Sequence, residues 1–245
     1  MKIYCTRNEL NRAINNVSHS IPTRTPSPIL EGILIETKGD RMYLTATDTN
    51  MTIESNIPVD SEGDVSFVIE EKNFANIVNK LPEEEVLMDY NHERNQIKIN
   101  SGKSSSTFNC FSADEFPRFN IGEGQKIILS KKDIKNLIRK TSFSASADEL
   151  NGVLTGILIE LGDGNLRMVA VDTFRMAIYN AKVDTDEKLS IVVPAKLLGE
   201  VSKIISDDDN DEQLFMEIVD NKVVMLFDNN RVILNTLNGK YIDYN

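Results

Sequence analysis

Apolar residues recur along this chain with two periods that alternate. Leu10, Ala13, Ile14 and Val17 fall at i, i+3, i+4 and i+7, and similar spacings return at Phe74, Ile77, Val78 and Leu81 and at Ile134, Leu137, Ile138 and Thr141. Leu197, Leu198, Val201 and Ile205 complete a fourth set. Such stripes predict four amphipathic helices, each with one face committed to a sheet and the other free. Period-two runs predict strands over 33–37, 41–46, 86–90, 96–100 and 105–109, with counterparts over 157–161, 166–170, 214–219, 222–227 and 231–236. Between them lie turn residues that tolerate positive φ or bond their own backbone: Lys38-Gly39-Asp40, Asp163-Gly164, Asp220-Asn221 and Asp228-Asn229-Asn230. The pattern is βαβββ, four times over.

Those four passes are two copies of one unit. The first 49 residues reappear 124 residues later without a gap. Leu30-Glu31-Gly32-Ile33-Leu34-Ile35-Glu36 aligns with Leu154-Thr155-Gly156-Ile157-Leu158-Ile159-Glu160, and Ala46-Thr47-Asp48-Thr49 with Ala170-Val171-Asp172-Thr173. The register also carries Lys72 onto Lys196. A repeat of this length is a duplicated domain. The stretch 116–125, holding Pro117, Gly122 and Gly124, is the expected linker, with domains over 1–122 and 123–245.

Composition narrows the class. The chain has 245 residues, 40% hydrophobic and 27% charged, an ordinary balance for two globular domains. No apolar run approaches the roughly 20 residues that span a bilayer, and the polar Thr6-Arg7-Asn8-Glu9 follows the start too soon for a secretory segment. A cytoplasmic location with no membrane partner is expected. Cys5 and Cys110 lack neighbours at metal spacing and read as inert thiols.

Charge is segregated. The chain as a whole is acidic, 27 Lys plus Arg against 38 Asp plus Glu. The helical windows 7–18, 71–80, 131–141 and 195–205 nevertheless hold 11 basic and 4 acidic residues, a net of +7, which leaves −18 for everything else. A positive helical surface on a negative body suits a polyanion held on one side and kept off the other. No helix-turn-helix, zinc finger or ribonucleoprotein signature is present, so base-specific reading is not expected.

Catalysis is not expected either. Asp48 and Asp172 occupy equivalent places in separate domains, as turn-capping carboxylates rather than an acid/base pair. His19 and His92 have no nucleophile or metal cluster beside them, and Gly122-Glu123-Gly124 is too short for a phosphate loop. Ser104-Ser105-Ser106 reads as an exposed strand. No cofactor and no metal are implied.

Several stretches in order, Pro28-Ile29-Leu30-Glu31-Gly32-Ile33, Ser112-Ala113-Asp114-Glu115-Phe116-Pro117, Val169-Ala170-Val171-Asp172-Thr173-Phe174-Arg175-Met176-Ala177 and Asn238-Gly239-Lys240-Tyr241-Ile242-Asp243-Tyr244, resemble the bacterial DNA polymerase III beta subunit, the sliding clamp. The resemblance runs from Met1 to Tyr244. It implies an α+β fold of duplicated clamp domains, helices on the inner face and antiparallel sheets on the outer, in a six-domain ring around duplex DNA. It implies DNA-facing roles for Arg24, Lys72, Lys135, Arg139, Lys196 and Lys203. It also implies a pocket for a short Gln-aliphatic-aromatic motif of the polymerase, the clamp loader and other partners, at Leu154, Val171, Thr173, Phe174, Arg175, Met176 and Ile242. Thr173-Phe174 stands where relatives often carry Gly or Ser then His, and Ile242 where they usually carry Pro. Beta subunits have three such domains and this sequence has two, so the expectation is a truncated clamp, with a two-domain clamp closing as a trimer, or a scaffold that does not encircle DNA, as alternatives.

Overall fold

The computed structural model describes residues 1–119, 121–122, 124–185, 188–206 and 212–244. It divides into two compact units, the first built on Met1–Asn120 with Asn229–Arg231 and the second on Ile121–Asp228 with Val232–Asn245. In the first, β1 (Lys2–Thr6), α1 (Arg7–Ser18), β2 (Gly32–Lys38), β3 (Arg41–Thr47) and β4 (Met51–Pro58) make one βαβββ pass. A two-residue β5 (Asp60–Ser61) leads into the next: β6 (Ser66–Glu70), α2 (Glu71–Asn79), β7 (Glu85–Asn91), β8 (Gln96–Ser101) and β9 (Ser104–Ser112). The strands pair antiparallel in the order β4-β3-β2-β6-β9-β8-β7-β1-β5.

The second unit repeats this with β10 (Gln125–Ser130), α3 (Lys131–Thr141), β11 (Gly156–Gly162), β12 (Asn165–Val171) and β13 (Met176–Lys182), then β14 (Leu189–Pro194), α4 (Ala195–Ile204), β15 (Gln213–Val219), β16 (Lys222–Phe227) and β17 (Asn230–Asn235). Its strands run β10-β15-β16-β17 and β13-β12-β11-β14. A single bridge ties the chain after β17 to β14, Leu237 N donating to Val192 O at 2.7 Å. The four expected βαβββ passes are present. Among the described residues, no helix is long and apolar enough to cross a membrane.

Local chemistry starts the first helix of each unit in the same way. Thr6 accepts from the Glu9 backbone N–H and donates to its carboxylate at 2.9 Å, and Ser130 does the same with Asp133 at 2.8 Å. These are matching hydroxyl N-caps, 124 residues apart, with an acid in the first turn where the helix dipole favours it. Leu10, Ala13, Ile14 and Val17 of α1 are buried, as are Ile134, Leu137, Ile138 and Thr141 of α3. The α1 helix lies against β3, β4 and α2, and α3 against β12, β13 and α4. The stripe on α2 is shorter than the spacing implies: Ile77 is only half-buried, and Leu81 packs from beyond the helix end.

The expected linker is shorter too. Phe116 is buried with Ile29, Leu34, Val68 and Ala113, and Gln125 already opens β10. An aromatic side chain seated in a core anchors the end of the first unit. Residues 120 and 123 of that linker, and residue 245 of the expected second domain, lie outside the described residues.

One pair of repeat-related glycines is forced by space. A Cβ on Gly32 would lie 2.4 Å from Val68 Cγ1, and one on Gly156 would lie 2.5 Å from Val192 Cγ1 and 2.9 Å from Leu237 Cδ1. Neither valine can move freely, because Val68 is fully buried and Val192 nearly so. Gly156→Ala is therefore expected to cost about 1–3 kcal/mol through overpacking. Urea unfolding checks this, and an unchanged midpoint would refute it.

Candidate functional site

Basic residues do gather on solvent faces of the helices. Lys72 and Lys196 occupy the second position of α2 and α4 and are exposed. A cation in the first turn opposes the helix dipole at a cost of a few tenths of a kcal/mol or more, so folding gains nothing from either lysine there. Arg139 is exposed near the end of α3 and donates to Asn136 at 3.1 Å. Lys203 pairs with Glu200 at 2.8 Å. Lys135 is half-buried and donates at 3.0 Å to the carbonyl of Ile205, the residue that caps α4. Arg24 is exposed in the loop after α1.

Two members of the helical charge count are structural instead. Lys131 is 3% exposed and ion-paired with both Glu212 and Asp228. Burial works against its ammonium, but the two carboxylates outweigh that and raise its pKa. Its counterpart Arg7 donates to Leu81 O at 2.9 Å and lies 3.6 Å from Glu84. In both copies the backbone N–H of this residue also meets a glutamate carbonyl, Glu84 O at 2.7 Å and Glu212 O at 3.0 Å. These cations tie the start of the helix to the chain that leads into β7 or β15. The solvent-facing basic set is smaller than the count by these two.

The peptide-site residues separate into three groups in the second unit. Leu154 and Val171 belong to an apolar cluster with Leu158, Val169, Val192 and Tyr241. Thr173, Phe174, Arg175 and Met176 form the exposed tip between β12 and β13, with Phe174 94% and Met176 49% exposed. Ile242, 43% exposed, lines a groove of about 330 Å³ with Leu158, Glu160, Val192 and the chain over 239–244.

Hydrogen bonds hold the tip and the groove in shape. Asp172 Oδ1 accepts from Phe174 N at 2.8 Å and Arg175 N at 2.9 Å, and Asp172 Oδ2 accepts from Arg175 Nε at 2.9 Å. Asp48 plays the equivalent part, accepting from Asn50 N and Met51 N at 2.9 and 2.7 Å. Both aspartates are the turn-capping carboxylates that their places in the repeat predicted. Arg175 also lies over the Phe143 ring at 5.7 Å, so its guanidinium is engaged at both ends rather than free to greet a ligand. Beside the groove, the Tyr241 hydroxyl reaches Gly156 O at 3.3 Å and Val169 O at 3.4 Å. Tyr244 donates to Glu160 and accepts from Arg167 Nη1 at 3.3 Å.

Sequence reasoning missed Phe143 and Tyr241. Phe143 is an exposed aromatic directly after α3, where the first copy has His19, and that contrast between copies was its only signal. Among the described residues, no three His, Cys, Asp or Glu side chains gather as a metal site. Both thiols are pushed up to about 12, chiefly by desolvation.

Paired βαβββ passes, repeated in tandem with basic helices over antiparallel sheets, define the duplicated clamp class of fold. Residues 1–120 match the DNA polymerase III beta subunit N-terminal domain and residues 128–243 its central domain, and the chain belongs to the DNA polymerase III beta subunit family. It is 35% identical over 244 residues to the beta sliding clamp of Halalkalibacterium halodurans, covering 93% of this chain and 63% of the relative. To that of Staphylococcus epidermidis it is 32% identical over 253 residues, covering 99% and 66%. The crystal structure of the Bacillus subtilis DNA polymerase sliding clamp superposes with a TM-score of 0.95 at 32% identity, covering 99% of this chain and 66% of that one. The chain thus spans slightly less than two thirds of the length of these relatives.

The Asp172 turn carries a pH signature. Its carboxyl is held below the ordinary 3.8, first by the Phe174 backbone N–H and then, against some desolvation, by Arg175. The turn is therefore fully supported above the ordinary carboxylate value and loses that support only as pH falls through the lowered one. NMR titration of the Phe174 and Arg175 amides should show them shifting together with a midpoint below the ordinary carboxylate value of 3.8. Asp172→Asn should disturb them at neutral pH, and unchanged amide shifts in that variant would refute the assignment.

Proposed function

We propose that this chain works as a DNA sliding clamp, a processivity factor that encircles duplex DNA as a homo-oligomeric ring and tethers the replicative polymerase. The observation that carries this reading is the pair Lys72 and Lys196, two repeat-related cations in first turns where folding disfavours them. With Arg24, Lys135, Arg139 and Lys203 they would meet phosphates, not base edges, which positions a duplex without reading it. Flexible lysines form contacts loose enough to slide. The action is topological and cytoplasmic, and involves no bond-making step.

Partners would dock through the second unit. Leu154 and Val171 supply an apolar floor beside Tyr241, Met176 an adaptable wall, and Ile242 the rim of the groove. Thr173 and Phe174 stand at the tip that Asp172 and Arg175 hold in place. The polymerase, the clamp loader and other proteins with a Gln-aliphatic-aromatic motif would share this site.

Met176→Glu is expected to weaken a peptide carrying that motif at least tenfold in a fluorescence titration, and unchanged affinity would remove Met176 from the site. Encirclement is tested by loading the chain with a clamp loader onto nicked circular duplex and filtering at physiological salt. It should stay with the circle and run off once the DNA is linearised. Equal retention on both forms would overturn encirclement.

A further inference from the structure

The two copies of the first helix present the same surface stripe with different chemistry. On α1 the stripe at i, i+3, i+4 and i+7 is Asn8, Asn11, Arg12 and Asn15. On α3 the positions 124 residues later are Lys132, Lys135, Asn136 and Arg139. Wherever one copy has an amide, the other has a cation. The second helices lean the same way, since α2 exposes Asn73, Asn76 and Asn79, whereas α4 has no asparagine and carries Lys196 and Lys203.

Position in the helix does not explain the exchange. Asn8 and Lys132 both stand at the second helical position, after matching hydroxyl N-caps, and both are exposed. Asparagine is a poor helix former, so exposed amides at Asn8, Asn15, Asn73, Asn76 and Asn79 cost helix propensity. Nor do those carboxamides hydrogen-bond to any other described residue. They are short, neutral groups with both donors and acceptors, able to bond a phosphate oxygen directly or through water.

We infer that the two first helices hold a duplex in different ways: the α3 stripe chiefly through charge, with counterion release at Lys132, Lys135 and Arg139, and the α1 stripe chiefly through neutral amide hydrogen bonds at Asn8, Asn11 and Asn15, with Arg12 as its one cation. This rests on the clamp reading above and assigns its helices separate tasks. Charge on α3 then makes a larger contribution to the strength and salt dependence of the hold than α1 does. The three amides of α1 add a hydrated contact that depends little on ionic strength, which limits how firmly that stripe can grip.

The test is the slope of log affinity against log salt for a short duplex of arbitrary sequence, measured by fluorescence anisotropy on the full chain. Neutralising one phosphate-bound cation should flatten the slope by about 0.9. Lys132→Gln with Arg139→Gln should therefore flatten it by about 2 and weaken low-salt binding more than tenfold. Asn8→Ala with Asn15→Ala should weaken binding a few-fold and leave the slope unchanged. Asn8→Lys with Asn15→Arg, which copies the α3 chemistry onto α1, should steepen it by about 2. Circular dichroism confirms that each variant is folded. A slope flattened by the asparagine pair, or untouched by the Lys132 and Arg139 pair, overturns the division of tasks while leaving DNA contact in place. If the unaltered chain fails to bind duplex even at low salt, the DNA reading falls and this inference with it.

Discussion

Each unit hangs on one close approach between a glycine and a valine. Gly32 and Gly156 open β2 and β11, and there the chain passes so near Val68 and Val192 that a methyl group has no room. That approach sets the register between β2 and β6 and between β11 and β14: Gly32 faces Glu70 and Gly156 faces Pro194. Glu70 and Pro194 are the residues from which α2 and α4 begin. A one-residue slip would turn every side chain on the strand to the other face and rotate the helix start with it. The place of Lys72 and Lys196 on the surface follows from this contact in the core.

The architecture was legible because two independent periodicities agreed. The 124-residue repeat and the helical stripes each predict the same four helices, and neither depends on distant contacts. The hairpins were legible through their turn residues: Asp163 and Gly164 take φ of 52° and 70° between β11 and β12, as a two-residue primed turn requires. What periodicity cannot see is which cation meets an acid far along the chain. Lys131 and Glu212 are 81 residues apart, and Lys131 and Asp228 are 97 apart, so nothing local marked Lys131 as buried. Spacing places a residue on a face, but burial of its charge depends on the partner that folding brings.

The peptide surface was legible in part for the same reason. Leu154 and Val171 share a cluster because adjacent elements of one unit bring them together. Arg175 has its role through Phe143, 32 residues earlier, and through Asp172, three residues away. Only the second of those could be read locally. Phe174 does not pack into the body of the unit at all. It stands clear of it, on a turn whose carboxylate is fully engaged in holding the backbone.

The state of the two native thiols has a practical side. Cys5 is buried, Cys110 is half-buried, and both are shifted so far up that almost no thiolate exists near neutral pH. Thiolates are the nucleophiles that attack maleimides and thiol-reactive nitroxide reagents, so both cysteines react poorly with them. A single cysteine introduced on the open face of α1 or α3 would then take the label almost alone. Distances and mobilities on the helical surface could be recorded without first stripping the chain of its own sulfur.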